Sequence, residues 1–182
     1  MRSLVLGKLI ACVSMLFNIC CSPGEVFVHR NVGNLVVGSD LNVLSVLEYA
    51  VQHLNVQHII VTGHYDCGAV RASTKKQDLG LLENWIRTIR DVYRFHHVEL
   101  DAIPDEEAKH RRLVELNVME QCLTIYKTAV VQRKRKETSE HHTFTYPRIH
   151  AMVFDPKVGI LNKLPVDFKQ TTEDLSHIYD LY

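Results

Sequence analysis

The chain has 182 residues, and 46% hydrophobic against 23% charged residues is the composition of a globular domain rather than of a disordered chain. Lys+Arg and Asp+Glu both number 21, so the formal charge is zero and the basic footprint of a nucleic-acid-binding domain is absent. Eight Gly and five Pro exclude a low-complexity protein, and five irregularly spaced cysteines, three of them in the first 21 residues, do not form the framework of a small disulfide-rich domain.

Residues 1–22 differ from the rest. Arg2 precedes an apolar run interrupted by Lys8, and the stretch over residues 10–17 is too short to span a bilayer. Three readings fit: a signal peptide, with a charged start and small residues near Ser22; a buried strand or helix; or the product of a misassigned start codon. The chain is therefore divided into an atypical segment, 1–22, and one domain, 23–182.

From Pro23-Gly24, a turn signal, the pattern becomes regular. Residues 25–29 read as a short strand. Asp40 is placed to cap a helix carrying Val43, Leu47, Ala50 and Leu54 at helical spacing. Residues 57–62 are β-branched and nearly continuously apolar, which predicts a strand buried on both faces of a parallel sheet and ended by Gly63. A helix opens near Gly68. Two longer helices are predicted over residues 79–97 and from Pro104 to about Lys134, the second with Asp105, Glu106 and Glu107 at its positive end. Its apolar residues over 113–130 fall on two stripes, so it needs cover on two sides, and a partner subunit is one way to supply it. The basic run Arg133-Lys134-Arg135-Lys136 and the residues to His142 are predicted as a polar loop following a solvated helix end. A strand over residues 149–154, a turn over 155–159 and a returning strand over 160–164 read as a hairpin, and a short helix is expected within residues 171–182. Alternating strands and helices make the fold class α/β, with a mostly parallel central sheet flanked by helices.

The sharpest local feature is Gly63-His64-Tyr65-Asp66-Cys67-Gly68, where a buried strand gives way to a helix. Ligands of parallel α/β sheets bind at the carboxyl ends of strands. Imidazole and thiolate are both good zinc ligands, so His64 and Cys67 are candidate metal ligands, and the two glycines permit a turn that brings them together. With eleven His and five Cys, one His-x-x-Cys pair arises by chance about 0.3 times, so the position at a strand end matters more than the pair itself. Cys67 as a nucleophile with His64 as its base is the competing chemistry.

The stretches Pro23-Gly24-Glu25-Val26-Phe27-Val28-His29-Arg30-Asn31-Val32-Gly33-Asn34, His58-Ile59-Ile60-Val61-Thr62-Gly63-His64-Tyr65-Asp66-Cys67-Gly68, Asn84-Trp85-Ile86-Arg87 and Tyr146-Pro147-Arg148-Ile149-His150 together resemble the β-class carbonic anhydrases, fungal members above all. The resemblance covers residues 23–182. It implies a zinc-dependent, reversible hydration of carbon dioxide to bicarbonate and a proton, a homodimer or higher homo-oligomer, no nucleic-acid partner, no stable membrane span and a cytoplasmic location, with secretion as the alternative if residues 1–22 are a signal peptide. It carries the ligand roles onto His64 and Cys67 and gives Asn31 and Gly68 the shaping of the substrate pocket through backbone placement. The family's Cys-x-Asp-x-Arg motif, which supplies a further zinc ligand and an Asp–Arg pair, occurs nowhere in this sequence. That departure leaves a slot in the sheet between the strands near Val26 and Ile59. Residues 4–16 filling it would place Cys12 near the metal as third ligand; an incomplete gene model is the other explanation. It also raises rival functions: a catalytically impaired or inactive family member, or a zinc-storage or redox protein using His64 and Cys67.

Overall fold

The computed structural model describes residues 3–7 and 24–182. Five strands form one sheet: β1 (Ser3–Gly7), β2 (Val26–Arg30), β3 (His58–His64), β4 (Arg148–Asp155) and β5 (Ile160–Leu164), in the order β2-β1-β3-β4-β5. All neighbours are parallel except the β4–β5 hairpin. The helices are α1 (Leu41–Glu48), which continues as the π-turn Tyr49–His53, then α2 (Gly68–Ser73), α3 (Leu82–Phe95), α4 (His97–Asp101), α5 (Glu106–Tyr126), α6 (Ala129–His141) and α7 (Phe168–Leu175). None among the described residues is long and apolar enough to cross a membrane.

The slot beside β3 is filled by β1. Ser3 pairs with both Val26 and His58, and Gly7 with both Arg30 and Thr62, so residues 3–7 take part in two parallel ladders. Leu4, Val5 and Leu6 are buried, which is the buried-strand reading for this part of the amino-terminal segment. Side chains alternate across the sheet. One face carries Leu4, Leu6, Ile59, Val61, Ile149, Ala151 and Val153 and joins the main core beneath α5; the other carries Val5 and Ile60 with Val26, Val28, Met152 and Leu161. Each fully buried aliphatic side chain here contributes roughly 1.5–3 kcal/mol of transfer free energy.

Four expectations need correction. Gly63 does not end β3, which continues through His64. The helix expected over residues 79–97 opens only at Leu82 and stops at Phe95, with α4 beginning two residues later. The long helix expected to reach Lys134 breaks at Thr128, whose backbone is extended (φ −71°, ψ 139°) and whose hydroxyl donates to the Ile125 carbonyl at 2.6 Å. The basic run is then not a loop but the middle of α6: Lys134 is buried beside Glu137 at 2.9 Å, and Arg135 donates to the Pro147 and Tyr182 carbonyls. Tertiary partners offset a composition with little apolar content. The two-sided burial of α5 is also supplied within the chain: Val114, Val118, Cys122 and Ile125 are buried together with Leu113, Leu116 and Tyr126, with β3 and β4 on one side and α2, α3, α4 and α6 elsewhere around the helix.

Candidate functional site

His64 is the last residue of β3 and lies opposite Phe154 of β4. The chain turns immediately after it. The Tyr65 amide donates to the Phe154 carbonyl at 3.0 Å, Asp66 takes a left-handed conformation (φ 60°), and Cys67 occupies the cap position of α2, where its carbonyl accepts from the Arg71 amide at 3.0 Å. Cys67 is buried and His64 half-buried, so one imidazole and one thiol stand on a single four-residue turn at the carboxyl end of a buried strand. The residue with positive φ in this turn is Asp66, not a glycine.

The glycines act differently from the sequence expectation. A Cβ on Gly63 would lie 2.6 Å from Val118 Cγ2, so Gly63 lets β3 pass close to α5. A Cβ on Gly68 would meet nothing within 4 Å. The Asn31 side chain ties down the loop that follows it: its Nδ2 donates to the Leu35 carbonyl at 2.7 Å and its Oδ1 accepts from the Leu35 amide at 2.8 Å.

Several supporting residues had no sequence signal strong enough to single them out. Asn117 of α5 donates to the Gly33 carbonyl at 2.9 Å, and Gln121, one turn later, accepts from the Val36 amide at 2.8 Å and donates to Asn117 at 3.2 Å. Both are buried, so they fix the loop 33–36 against the end of β3 through satisfied polar groups. Polar residues spaced i, i+4 within an apolar helix stripe were the available clue. On the turn itself, the buried Tyr65 donates to Glu115 at 2.7 Å, and the Arg111 guanidinium lies 3.5 Å from the Tyr65 ring centre while pairing with Asp155 at 3.2 Å. Burial and the Glu115 carboxylate push the Tyr65 phenol up to about 12, so it stays a hydrogen-bond donor. Asp66 faces outward, 3.5 Å from Arg71 and 3.8 Å from Lys157; Arg71 also meets Glu107 at 3.1 Å. These groups form a solvated surface network.

For a metal, His64 and Cys67 have suitable donor chemistry and adjacent placement. Among the described residues no group of three His, Cys, Asp or Glu side chains is arranged to hold an ion. Cys122 is no candidate: it is buried in the core and burial pushes its thiol far up, keeping it neutral. Cys12, the expected third ligand, lies outside the described residues, as do Cys20 and Cys21. Strand β1 nevertheless ends at the relevant edge, since Gly7 is paired with Thr62, two residues before His64.

Residues 12–161 match the family described as carbonic anhydrase. A carbonic anhydrase of Emericella nidulans is 50% identical over 158 residues, covering 87% of this chain and 67% of that protein. One of Candida albicans is 32% identical over 162 residues, covering 87% of this chain and 54% of that protein, so the chain is much shorter than this relative. Among solved structures, the β-carbonic anhydrase CafA of Aspergillus fumigatus has a TM-score of 0.84 at 28% identity, covering 98% of this chain and 83% of that one. A β-carbonic anhydrase of Sordaria macrospora, described as tetrameric, has a TM-score of 0.80 at 30% identity, covering 90% and 80%.

Proposed function

We propose that this chain, which belongs to the β-class carbonic anhydrase family, catalyses the reversible hydration of carbon dioxide to bicarbonate and a proton with zinc as its cofactor. The observation that carries this reading is the His64–Cys67 turn at the carboxyl end of β3, where α/β sheets bind ligands. The family match favours it over the zinc-storage, redox and impaired-subunit readings.

His64 and Cys67 would hold the zinc, which when bound would lower the pKa of a water to about 7 and make hydroxide available at neutral pH. As zinc ligands His64 would serve as a neutral imidazole and Cys67 as a thiolate, the forms that metal binding requires. Tyr65, anchored on Glu115, holds the turn between the two donors, and Asn117 with Gln121 holds the loop against which β3 ends. A catalytic zinc normally takes three protein ligands. The third is sought among the cysteines that follow β1, and Cys12 is nearest to Gly7 in sequence. The assembly is a homodimer or a higher homo-oligomer, in line with the tetrameric description of the Sordaria macrospora relative.

The test combines zinc content per chain with stopped-flow carbon dioxide hydration for the unmodified protein, His64→Ala, Cys67→Ser and Cys12→Ser. Loss of zinc and activity in the first two supports the assignment, and unchanged zinc and rate in both overturn it. A matching loss in Cys12→Ser assigns the third ligand. Light scattering reads the assembly, and a stable folded monomer refutes that part.

A further inference from the structure

The opposite end of the same strands carries a second constellation. His58 opens β3 and Arg148 opens β4, paired in register, and His150 follows two residues later. Alternation puts all three on the sheet face opposite α5, where Lys163 of β5, opposite Met152, also points. Nδ1 of His58 and Nε2 of His150 are 3.0 Å apart. The Arg148 guanidinium lies over the Phe144 ring at 4.9 Å. Two openings meet at Arg148. One, of about 390 Å³, is lined by His58, His142, Tyr146 and Arg148. The other, of about 590 Å³, is lined by Arg135, Arg148, His150, Lys163 and Asp167.

The charge balance of this cluster is one-sided. Burial first, then Arg148 beside His58, and the His58 ring, Lys163 and Arg148 beside His150, hold both rings below the usual histidine range. Among the described residues, neither Arg148 nor Lys163 is paired with a carboxylate, and Arg135 is committed to the Tyr182 and Pro147 carbonyls. The carboxylate lining the larger opening, Asp167, accepts from the Gln170 amide at 2.9 Å as the cap of α7. On the other side, His142 lies 3.5 Å from the Tyr146 hydroxyl. A cluster of cations with open space beside it and no counter-charge of its own lacks an anion.

We propose that His58, His150, Arg148 and Lys163 form a binding site for a dianionic oxyanion of the phosphate or phosphomonoester class. It lies about 20 Å along β3 from His64, six residues at roughly 3.3 Å each. A guanidinium offers a planar fork of N–H donors, which suits several acceptor oxygens on one phosphorus, and Lys163 adds a compact positive charge. The imidazole pair adds a proton-dependent donor. In the neutral pair, one ring N–H donates to the other ring's bare nitrogen. One added proton on the donor ring leaves that bond intact and charge-assisted, whereas a second proton breaks it. The pair therefore supplies one positive charge. A bound dianion favours the protonated pair, so the complex holds a proton on the pair and the intrinsic affinity for the dianion rises as pH falls, while the free ligand's own protonation near neutral pH lowers the share of dianion available. The same cations oppose a divalent metal on the two rings.

The test titrates the full chain with inorganic phosphate at pH 7.5 and pH 6.0 at fixed ionic strength, following the ring C–H signals of His58 and His150 by NMR. Parallel arms use methyl phosphate, which separates a phosphomonoester from the free ion, and sodium chloride. Saturable shifts at both rings are expected with either phosphate and not with chloride, and affinity, expressed per dianion present at each pH, should be at least about threefold tighter at pH 6.0 through proton linkage. Arg148→Ala should weaken binding about tenfold or more, and the exposed Lys163→Ala by less, with carbon dioxide hydration unchanged in both. Absence of a saturable shift up to about 10 mM phosphate, a binding affinity in the range where such contacts are no longer specific, overturns the site. So does a shift that Arg148→Ala and Lys163→Ala both leave intact.

Discussion

Each end of β3 carries a histidine, and the two meet their surroundings in opposite ways. At the carboxyl end, His64 and Cys67 are three residues apart on one turn, and three polar groups that brace it have internal partners: Tyr65 in Glu115, the Gly33 carbonyl in Asn117, the Val36 amide in Gln121. At the amino end, His58 and His150 are separated by 92 residues in sequence, and the cations beside them have no carboxylate partners among the described residues. The first end is braced so that two donors hold their places. The second is poised by charge and keeps space beside it. A His-rich location on a sheet is thus not informative in itself; what surrounds the rings decides whether they suit a metal or an anion.

The strongest way to break this contrast is to exchange the consequences. Cys67→Ser should lower carbon dioxide hydration by more than about 100-fold, since losing even an outer-sphere partner of a metal ligand typically costs about 10–100-fold. His58→Gln should leave the rate within about twofold, because the amino end is about 20 Å from His64. Stopped-flow rates decide, and comparable losses in both variants would erase the distinction.

The bracing itself can be tested next. Asn117→Ala leaves the buried Gly33 carbonyl and the Gln121 amide short of a partner and should cost about 1–3 kcal/mol in urea unfolding. Gly63→Ala drives a Cβ towards Val118 and should cost a similar amount, about 1–3 kcal/mol, whereas Gly68→Ala has open space and should be close to neutral. Equal midpoints for the two glycine variants would show that the close approach of β3 and α5 is not needed.

The amino end should show itself in pH dependence. His58 and His150 are held below the ordinary histidine value by burial and by neighbouring cations, and burial also lowers His29 and His110. The folded state then binds fewer protons than the unfolded one at mildly acidic pH. Stability is therefore fully present above about pH 6.5 and falls as pH drops below it. His150→Gln should flatten that slope, which chemical unfolding at pH 5.0, 6.0 and 7.5 can read. Last and smallest, Arg71→Ala removes exposed contacts to Asp66 and Glu107 and should change stability by about 0–1 kcal/mol. A larger loss would mean that the surface network also braces the turn.

Much of the fold is legible from local pattern. Asp40 caps α1 by accepting from the Asn42 amide, the apolar run before Gly63 lies in a central strand, and the turn after Asp155 closes a hairpin, because each rests on interactions within a few residues. Break points were less legible. Thr128 interrupts a stretch whose apolar periodicity runs on through it, and α6 is helical despite its polarity because Lys134, Arg135 and Thr138 find partners on Glu137, Pro147 and Tyr146. The slot between β2 and β3 could be suspected from the apolar start of the chain, but only pairing with two neighbours at once shows that residues 3–7 occupy it.

The sequence by itself determined the α/β class, the family resemblance and the His64-x-x-Cys67 pair, since periodicity and short spacing are properties of a few consecutive residues. Only the tertiary structure decided that Gly63 serves packing while Asp66 makes the turn, that Asn117 and Gln121 hold the adjoining loop, and that His58, Arg148, His150 and Lys163 share one face of the sheet. The physical reason is parallel pairing: strands distant in the sequence lie about 4.8 Å apart in the sheet, and their register, which no local pattern encodes, sets which side chains meet.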